Sequence, residues 1–170
     1  MLKLAGAILC LTGGLLTGIS IYTESRKRLE CLRMLIMALE IMHSELATNL
    51  APLPVLMKKV SEGTNGCVKK LAEELAERTG ELKKAGFEEL WRESVQKRLS
   101  LLDRKSMQRI LHLGRILGRA ELSEQLSAIR TAEECLALKA AETESSLPEV
   151  RKMSVGLSLA AGTLVTIVFL

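Results

Sequence analysis

Both ends of the chain are long stretches without a charged side chain. No Asp, Glu, Lys or Arg lies between Leu4 and Tyr22, and none lies between Met153 and Leu170. Because a helix rises about 1.5 Å per residue, about 18 or 19 residues extend about 27 to 29 Å, close to the thickness of the hydrocarbon core of a bilayer. The sequence therefore predicts a transmembrane helix at residues 1–22 and a second one at residues 153–170.

The residues between these stretches, 23–152, have the composition of a water-facing helical domain. They contain all 20 acidic residues of the chain and every basic residue except Lys3. Aromatic residues make up only 2% of the chain, prolines occur at three positions, and long alternating β-branched runs are missing. We therefore expect an all-α fold, a membrane-anchored antiparallel helical bundle with N- and C-terminal transmembrane helices.

Basic residues flank both predicted spans on the side of the central domain. They are Arg26, Lys27 and Arg28 after the first span, and Arg151 and Lys152 before the second. Since Lys and Arg near membrane ends are retained in the cytoplasm, the central domain is expected to be cytoplasmic and to lie against membrane lipid. A cleaved signal peptide is the alternative for residues 1–22, but no Ala-x-Ala site lies at the end of the apolar run, just before Glu24.

Small residues recur at a spacing of four in each predicted span. In the first span they are Gly6, Cys10, Gly14 and Gly18, and in the second they are Ser154, Ser158 and Gly162, followed by Thr166. Such spacing allows close packing of membrane helices against each other or against a partner. Two spans are too few to form a transport path in one copy, so a homo-oligomer is expected.

Apolar residues at steps of three and four predict one long first helix. They are Leu29, Leu32, Ile36, Leu39, His43, Leu46 and Leu50, where only His43 breaks the pattern. No turn signal separates the first span from this run, so the helix is expected to continue from the span to about Asn49. Pro52 and Pro54 end it.

Glycine, proline and a capping residue divide the rest of the central domain. A short helix is predicted at 55–61 and a loop at 61–66, and later breaks are predicted at Gly80, Gly86 and Gly118. Asp103 precedes an apolar periodic run and is the expected N-cap of a helix. A last long helix begins near Glu121, and Pro148 is expected to interrupt it.

No pattern of a catalytic, cofactor or metal site occurs in the sequence. P-loop, dinucleotide-binding, HExxH and GxSxG motifs are missing, and neither His43 nor His112 has ligands at metal-binding spacing. The four cysteines contain no CxxC pair, which favours small buried side chains over a disulfide framework. A net charge of +4 without a basic stripe does not favour nucleic acid. We expect a binding or scaffolding protein with no enzymatic activity.

Arg115 and Arg119 are the candidate partner-binding residues. They are adjacent to Gly114 and Gly118, which would permit close approach of a partner whose acidic groups pair with the two guanidinium groups. The simpler interpretation is a solvated helix face.

The order and spacing of several segments resemble the stage III sporulation protein AB family of endospore-forming bacteria. The segments are Met1-Leu-Lys-Leu-Ala-Gly6, Pro52-Leu-Pro54, Leu117-Gly118 with the polar stretch to Gln125, and Lys152-Met-Ser-Val-Gly156. Where an Asp would be expected after the Leu-Gly pair, this chain has Ala120 and Glu121. The resemblance extends over essentially the full length.

This resemblance implies a subunit of the channel complex between mother cell and forespore, seated in the mother-cell membrane around the forespore. The family is similar to a cytoplasmic repeat of the inner-membrane platform proteins of type II secretion machines. Contacts with the ATPase of the complex and with its other membrane subunits are therefore implied. The alternative is a membrane-anchored helical regulatory or adaptor protein unrelated to secretion.

Overall fold

Six helices make up the part of the chain that the structure describes. This computed structural model describes the backbone of residues 2–79, 86–117 and 119–169, and the side chains of residues 20–78, 86–117 and 119–149 together with Gly156. The helices are α1 (Leu2–Asn49), α2 (Leu53–Gly63), α3 (Gly66–Thr79), α4 (Phe87–Arg98), α5 (Arg104–Ile116) and α6 (Leu122–Phe169). No strand occurs in these residues. The prediction of an all-helical chain is confirmed.

The chain divides into two compact units. One consists of Arg28–Ala141, and the other consists of Met1–Lys27 together with Glu142–Leu170. Both α1 and α6 contribute residues to each unit. The predicted domain limits at residues 22 and 152 remain a prediction.

No helix in the described residues has an apolar stretch long enough to cross a membrane. Most of the predicted spans lie outside the residues whose side chains are described. The small-residue ladders lie outside them as well, at Gly6, Cys10, Gly14 and Gly18 and at Ser154, Ser158 and Gly162.

The first helix continues from Leu2 to Asn49, as the uninterrupted pattern predicted. Its buried stripe is wider than the predicted one, because Cys31, Leu35, Ala38 and Met42 are buried beside the predicted leucines. The inclusion of Leu50 in that stripe is wrong. Leu50 is 67% exposed, since the chain leaves the helix there with a left-handed φ of 49° and directs the side chain to solvent.

Proline fixes the start of the second helix. Pro52 is the N-cap residue, in an extended conformation, and its carbonyl accepts from the amide of Leu56 at 2.9 Å. Pro54 lies in the first turn, where an amide proton would have no partner within the helix. Pro52 and Pro54 therefore separate two helices and also begin the second.

The predicted loop at 61–66 is shorter in the structure. The hydroxyl of Ser61 donates to the carbonyl of Lys58, and that of Thr64 donates to the carbonyl of Val60, each at 2.7 Å. The bond from Thr64 satisfies a carbonyl in the last turn of α2, where carbonyls lack partners within the helix, whereas Ser61 bonds back to the preceding turn. Only Thr64 and Asn65 remain between the helices, and Gly66 then takes a left-handed φ of 64°, which glycine adopts without a steric penalty.

A charged cluster joins α3 to α4 and shows that they run antiparallel. Glu74 accepts from Arg98 at 2.8 Å, while Arg78, one turn further along α3, pairs with Glu93, which comes before Arg98 on α4. Lys97 also lies 3.8 Å from Glu74.

Burial raises the pKa of Glu74, but the hydrogen bond from Arg98 and the two nearby cations have the larger combined effect and lower it. Glu74 thus joins α3 to α4 through its ion pairs with Arg98 and Lys97.

Packing between α4 and α5 is also antiparallel. The indole nitrogen of Trp91 donates to the carbonyl of Ile110 at 2.8 Å, and Glu88, earlier on α4, pairs with Arg115, later on α5. The side chains in the same two helices and the turn between them are almost fully buried at Val95, Leu99 and Leu113. The helices α3, α4 and α5 therefore alternate in direction within Arg28–Ala141.

Candidate partner-binding surface

Arg115 and Arg119 share one carboxylate. The Nε of Arg115 lies 3.2 Å from Oε1 of Glu88, and an Nη of Arg119 lies 3.3 Å from Oε2 of the same residue. Both arginine side chains remain more than half exposed, at 69% and 56%, and Glu88 is 37% exposed. The structure therefore brings the two predicted residues together at the surface, around an acidic residue that the sequence pattern did not suggest.

The capping of α5 determines where these arginines lie. Asp103 accepts from the amides of Lys105 and Ser106, which confirms it as the N-cap and fixes the beginning of the helix. The helix ends at Ile116, whose carbonyl accepts from the amides of Arg119 and Ala120. Arg115 is consequently in the last turn of α5, and Arg119 is in the tight turn that follows it.

Gly114 contributes to the interior of the bundle. A β-carbon built on it would lie well within 3.0 Å of three atoms of the Trp91 indole, so the close approach that glycine permits here is an approach of α4. This differs from the expectation that the glycine makes room for a partner. Gly118, the second glycine of that expectation, lies outside the described residues.

A cleft of about 220 Å³ lies between α5 and α6. Its lining combines polar and apolar side chains, among them Arg109, His112, Ile116, Glu124, Ser127 and Thr131. Within the described side chains, no three His, Cys, Asp or Glu residues are grouped so that they could hold a metal ion.

The basic residues predicted to face the membrane are partly described. Arg26 and Lys27 are exposed, whereas Arg28 is half-buried and its Nε has no hydrogen-bond partner among the described residues. Arg151 and Lys152 lie outside the residues with described side chains. A membrane-surface role for this set remains a prediction.

Comparison with known families decides the classification of the chain. The family model described as stage III sporulation protein AB matches residues 3–170. The chain belongs to the stage III sporulation protein AB family. Membership gives it a role in sporulation and confirms the resemblance found in the sequence. No match was found among curated proteins or among solved structures.

Proposed function

We propose that this member of the stage III sporulation protein AB family is a non-catalytic platform subunit of the channel complex between mother cell and forespore. In this proposal it couples the cytoplasmic ATPase of the complex to membrane subunits. The family match over residues 3–170 supports a role in sporulation. The observation that carries the finer proposal is the exposed pair Arg115 and Arg119, which shares a single carboxylate at the surface of an otherwise well-packed helical bundle.

The proposal includes anchoring by residues 1–22 and 153–170 in the mother-cell membrane. The uncharged stretches at both ends support it, as do the exposed Arg26 and Lys27, which would lie at the level of anionic lipid head groups. Residues 23–152 then extend into the cytoplasm. Copies of the chain would associate in the membrane to complete the platform.

Exchange of carboxylates is the proposed mode of partner binding. Exposed ion pairs of this kind contribute only about 0 to 1 kcal/mol, so Glu88 can be displaced at little cost. A guanidinium group binds a carboxylate in a planar two-point geometry. An acidic segment of the ATPase could therefore bind Arg115 and Arg119 in place of Glu88 without any unfolding of α5.

Charge reversal tests the surface. The variant Arg115→Glu/Arg119→Glu should lose most co-purification with the ATPase from sporulating cells and keep the helix content of the wild type. The matched control is Arg130→Glu, because Arg130 is an equally exposed arginine, paired with Glu134 on α6. Equal recovery of the ATPase with the double variant and with the control would reject this surface.

Removal of the internal carboxylate is a sharper test. Glu88→Gln removes the negative charge that competes with a partner, so it should increase recovery of the ATPase. Glu134→Gln, which releases Arg130 in the same way, should leave recovery unchanged. Reduced recovery with Glu88→Gln would mean that Glu88 itself contacts the partner, and unchanged recovery would mean that the partner does not replace Glu88 at the two arginines.

Membrane topology needs a separate measurement. Ser100 is exposed in the turn between α4 and α5, and a cysteine placed there reports the location of the bundle. In a chain whose four native cysteines are replaced by serine, Ser100→Cys should resist a membrane-impermeant maleimide in intact cells and react after lysis. Labelling in intact cells would contradict a cytoplasmic bundle and, with it, a contact with a cytoplasmic ATPase.

A further inference from the structure

Two cysteines far apart in the sequence meet inside the bundle. The Sγ of Cys31 on α1 lies 2.9 Å from the Sγ of Cys67 in the first turn of α3, and both are free thiols. They are 36 positions apart. No sequence spacing indicated this pair, because it depends on the way in which α3 packs against α1.

The two thiols occupy different environments. Cys31 is only 4% exposed, and Cys67 is half-buried and reachable from solvent. The hydrogen bond from Cys31 lowers the pKa of Cys67 to about 7, aided by the amides of Cys67 and Val68 at the helix N-terminus and opposed by burial and by Glu30. The same contact, together with burial, raises the pKa of Cys31. Cys67 is therefore the accessible nucleophile, and Cys31 lies directly behind it.

Among the described residues, the lack of a third ligand favours a disulfide over a metal ion shared by the two sulfur atoms. Two thiolates on one zinc ion, each at about 2.3 Å in tetrahedral geometry, would be about 3.8 Å apart. A disulfide requires about 2.0 Å. The observed 2.9 Å lies about 0.9 Å from either value, so closure to a disulfide needs only a small movement of the two sulfur atoms. No third ligand that would complete a metal site accompanies them in the described residues.

We propose that Cys31 and Cys67 form a redox-active dithiol that reacts with a low-molecular-weight disulfide and closes to an intramolecular disulfide between α1 and α3. In a reducing compartment the pair remains a dithiol until such an oxidant accumulates. Closure ties the long first helix covalently to the third. This is a modification site beyond the platform role, and it does not depend on that role.

The reaction proceeds in two exchanges. The Cys67 thiolate attacks one sulfur of the oxidant RSSR, so that a Cys67–SR bond forms, the S–S bond of the oxidant breaks and the leaving RS⁻ takes a proton from water. Cys31 then gives its proton to water and attacks the sulfur of Cys67, which expels the second RS⁻. The two protein thiols together lose two electrons and two protons, and the oxidant is reduced to two molecules of RSH.

The test uses the full chain in detergent, treated with oxidised glutathione and analysed by peptide mass spectrometry without reduction. The wild type should give a peptide linked through Cys31 and Cys67 that dithiothreitol separates. Cys31→Ser should stop at a glutathione adduct on Cys67, because the resolving thiol is missing, and Cys67→Ser should give no link to Cys31. The control Cys135→Ser, at another free thiol, should behave as the wild type does.

Three results would overturn the proposal. In the first, the reaction of the wild type stops at the glutathione adduct on Cys67. In the second, Cys67 of the wild type forms a disulfide only with a second copy of the chain. In the third, the wild type does not react with excess oxidised glutathione. Circular dichroism of each variant checks that the exchange of sulfur for oxygen preserves the fold. As a second readout, alkylation of Cys67 in the wild type should reach half its maximal rate near pH 7, and this midpoint should rise in Cys31→Ala, which removes the hydrogen bond that stabilises the thiolate.

Discussion

The indole of Trp91 on α4 fills the space beside Gly114 on α5. A β-carbon on Gly114 would lie well within 3.0 Å of the indole atoms Cδ1, Cγ and Nε1, closer than real Cβ contacts occur. The same indole donates to the carbonyl of Ile110, one turn earlier on α5. The packing of α4 against α5, which also positions Glu88 beside Arg115 and Arg119, depends on this glycine.

Gly114→Ala should destabilise the bundle. The rigid indole must move, and overpacking of this kind costs about 1 to 3 kcal/mol, while the higher helix propensity of alanine returns up to about 1 kcal/mol. We expect a net loss of about 1 to 2 kcal/mol in the free energy of unfolding, measured by urea denaturation. Gly63→Ala is the matched control, because its new methyl group meets only the flexible end of Ile41. A loss as large for Gly63→Ala, or none for Gly114→Ala, would contradict this account.

Asp103 should make the stability of α5 dependent on pH. Burial raises the pKa of Asp103, but the hydrogen bonds from the hydroxyl and amide of Ser106 and from the amide of Lys105 lower it overall. A lowered folded-state pKa gives stability that is present above the unfolded value of about 3.9 and is lost as the pH falls through the folded value.

Two substitutions separate the cap of Asp103 from its charge. Asp103→Ala should lose about 0.5 to 2 kcal/mol at pH 7, since alanine cannot cap the helix. Asp103→Asn keeps a capping oxygen and should lose less. Its free energy of unfolding should fall less steeply than that of the wild type as the pH drops below the unfolded value of about 3.9. Identical pH curves for the wild type and Asp103→Asn would show that the charge contributes nothing.

Glu74→Gln should weaken the contact between α3 and α4. The substitution removes a charge that Arg98, Arg78 and Lys97 share, and we expect a loss of about 1 kcal/mol at neutral pH that shrinks in high salt. Because the pKa of Glu74 is lowered in the fold, the loss should disappear as the pH falls through that lowered value. Glu73→Gln should be neutral, because Glu73 is exposed and its ion pair within the described residues, with Lys69 at 4.0 Å, is long. Thermal unfolding in low and high salt measures both variants.

Leu50→Gly should stabilise the end of α1. Leu50 adopts a left-handed φ of 49° and is 67% exposed, so glycine relieves the strain and gives up little buried surface. The expected gain is about 1 kcal/mol, near the lower end of the cost of a left-handed conformation for a non-glycine residue. Ala47→Gly, at an exposed position inside the same helix, should instead lose about 1 kcal/mol. A loss of stability in Leu50→Gly would show that the apolar side chain has a packing role.

Local chemistry made several features of the fold predictable. The uninterrupted helix to Asn49, the break at Pro52 and Pro54 and the N-cap at Asp103 each follow from interactions within a few residues of the chain, and each is confirmed. The predicted stripe of α1 was partly right, since Leu29, Leu32, Leu39 and Leu46 are buried. Its width could not be predicted, because that depends on how many neighbours pack around the helix.

Contacts between helices were beyond prediction for a physical reason. Helical periodicity fixes which residues share a face, but the rotation and register of one helix against another are set by packing of the whole bundle. The pairing of Glu88 with Arg115 and Arg119, the helix-joining role of Glu74 and the meeting of Cys31 with Cys67 all depend on that register. Helical periodicity, for example, cannot show that three cations converge on Glu74.

The sequence by itself determined the helical class of this protein, the positions at which its first helices stop and start, and its family. These properties depend on backbone propensities, caps and prolines, which act over a few residues. Only the tertiary structure decided that Gly114 leaves space for the indole of Trp91, that two arginines share Glu88 and that two distant thiols lie side by side. Each of these contacts joins residues on different elements, and their distance is fixed by the close packing of side chains in the core.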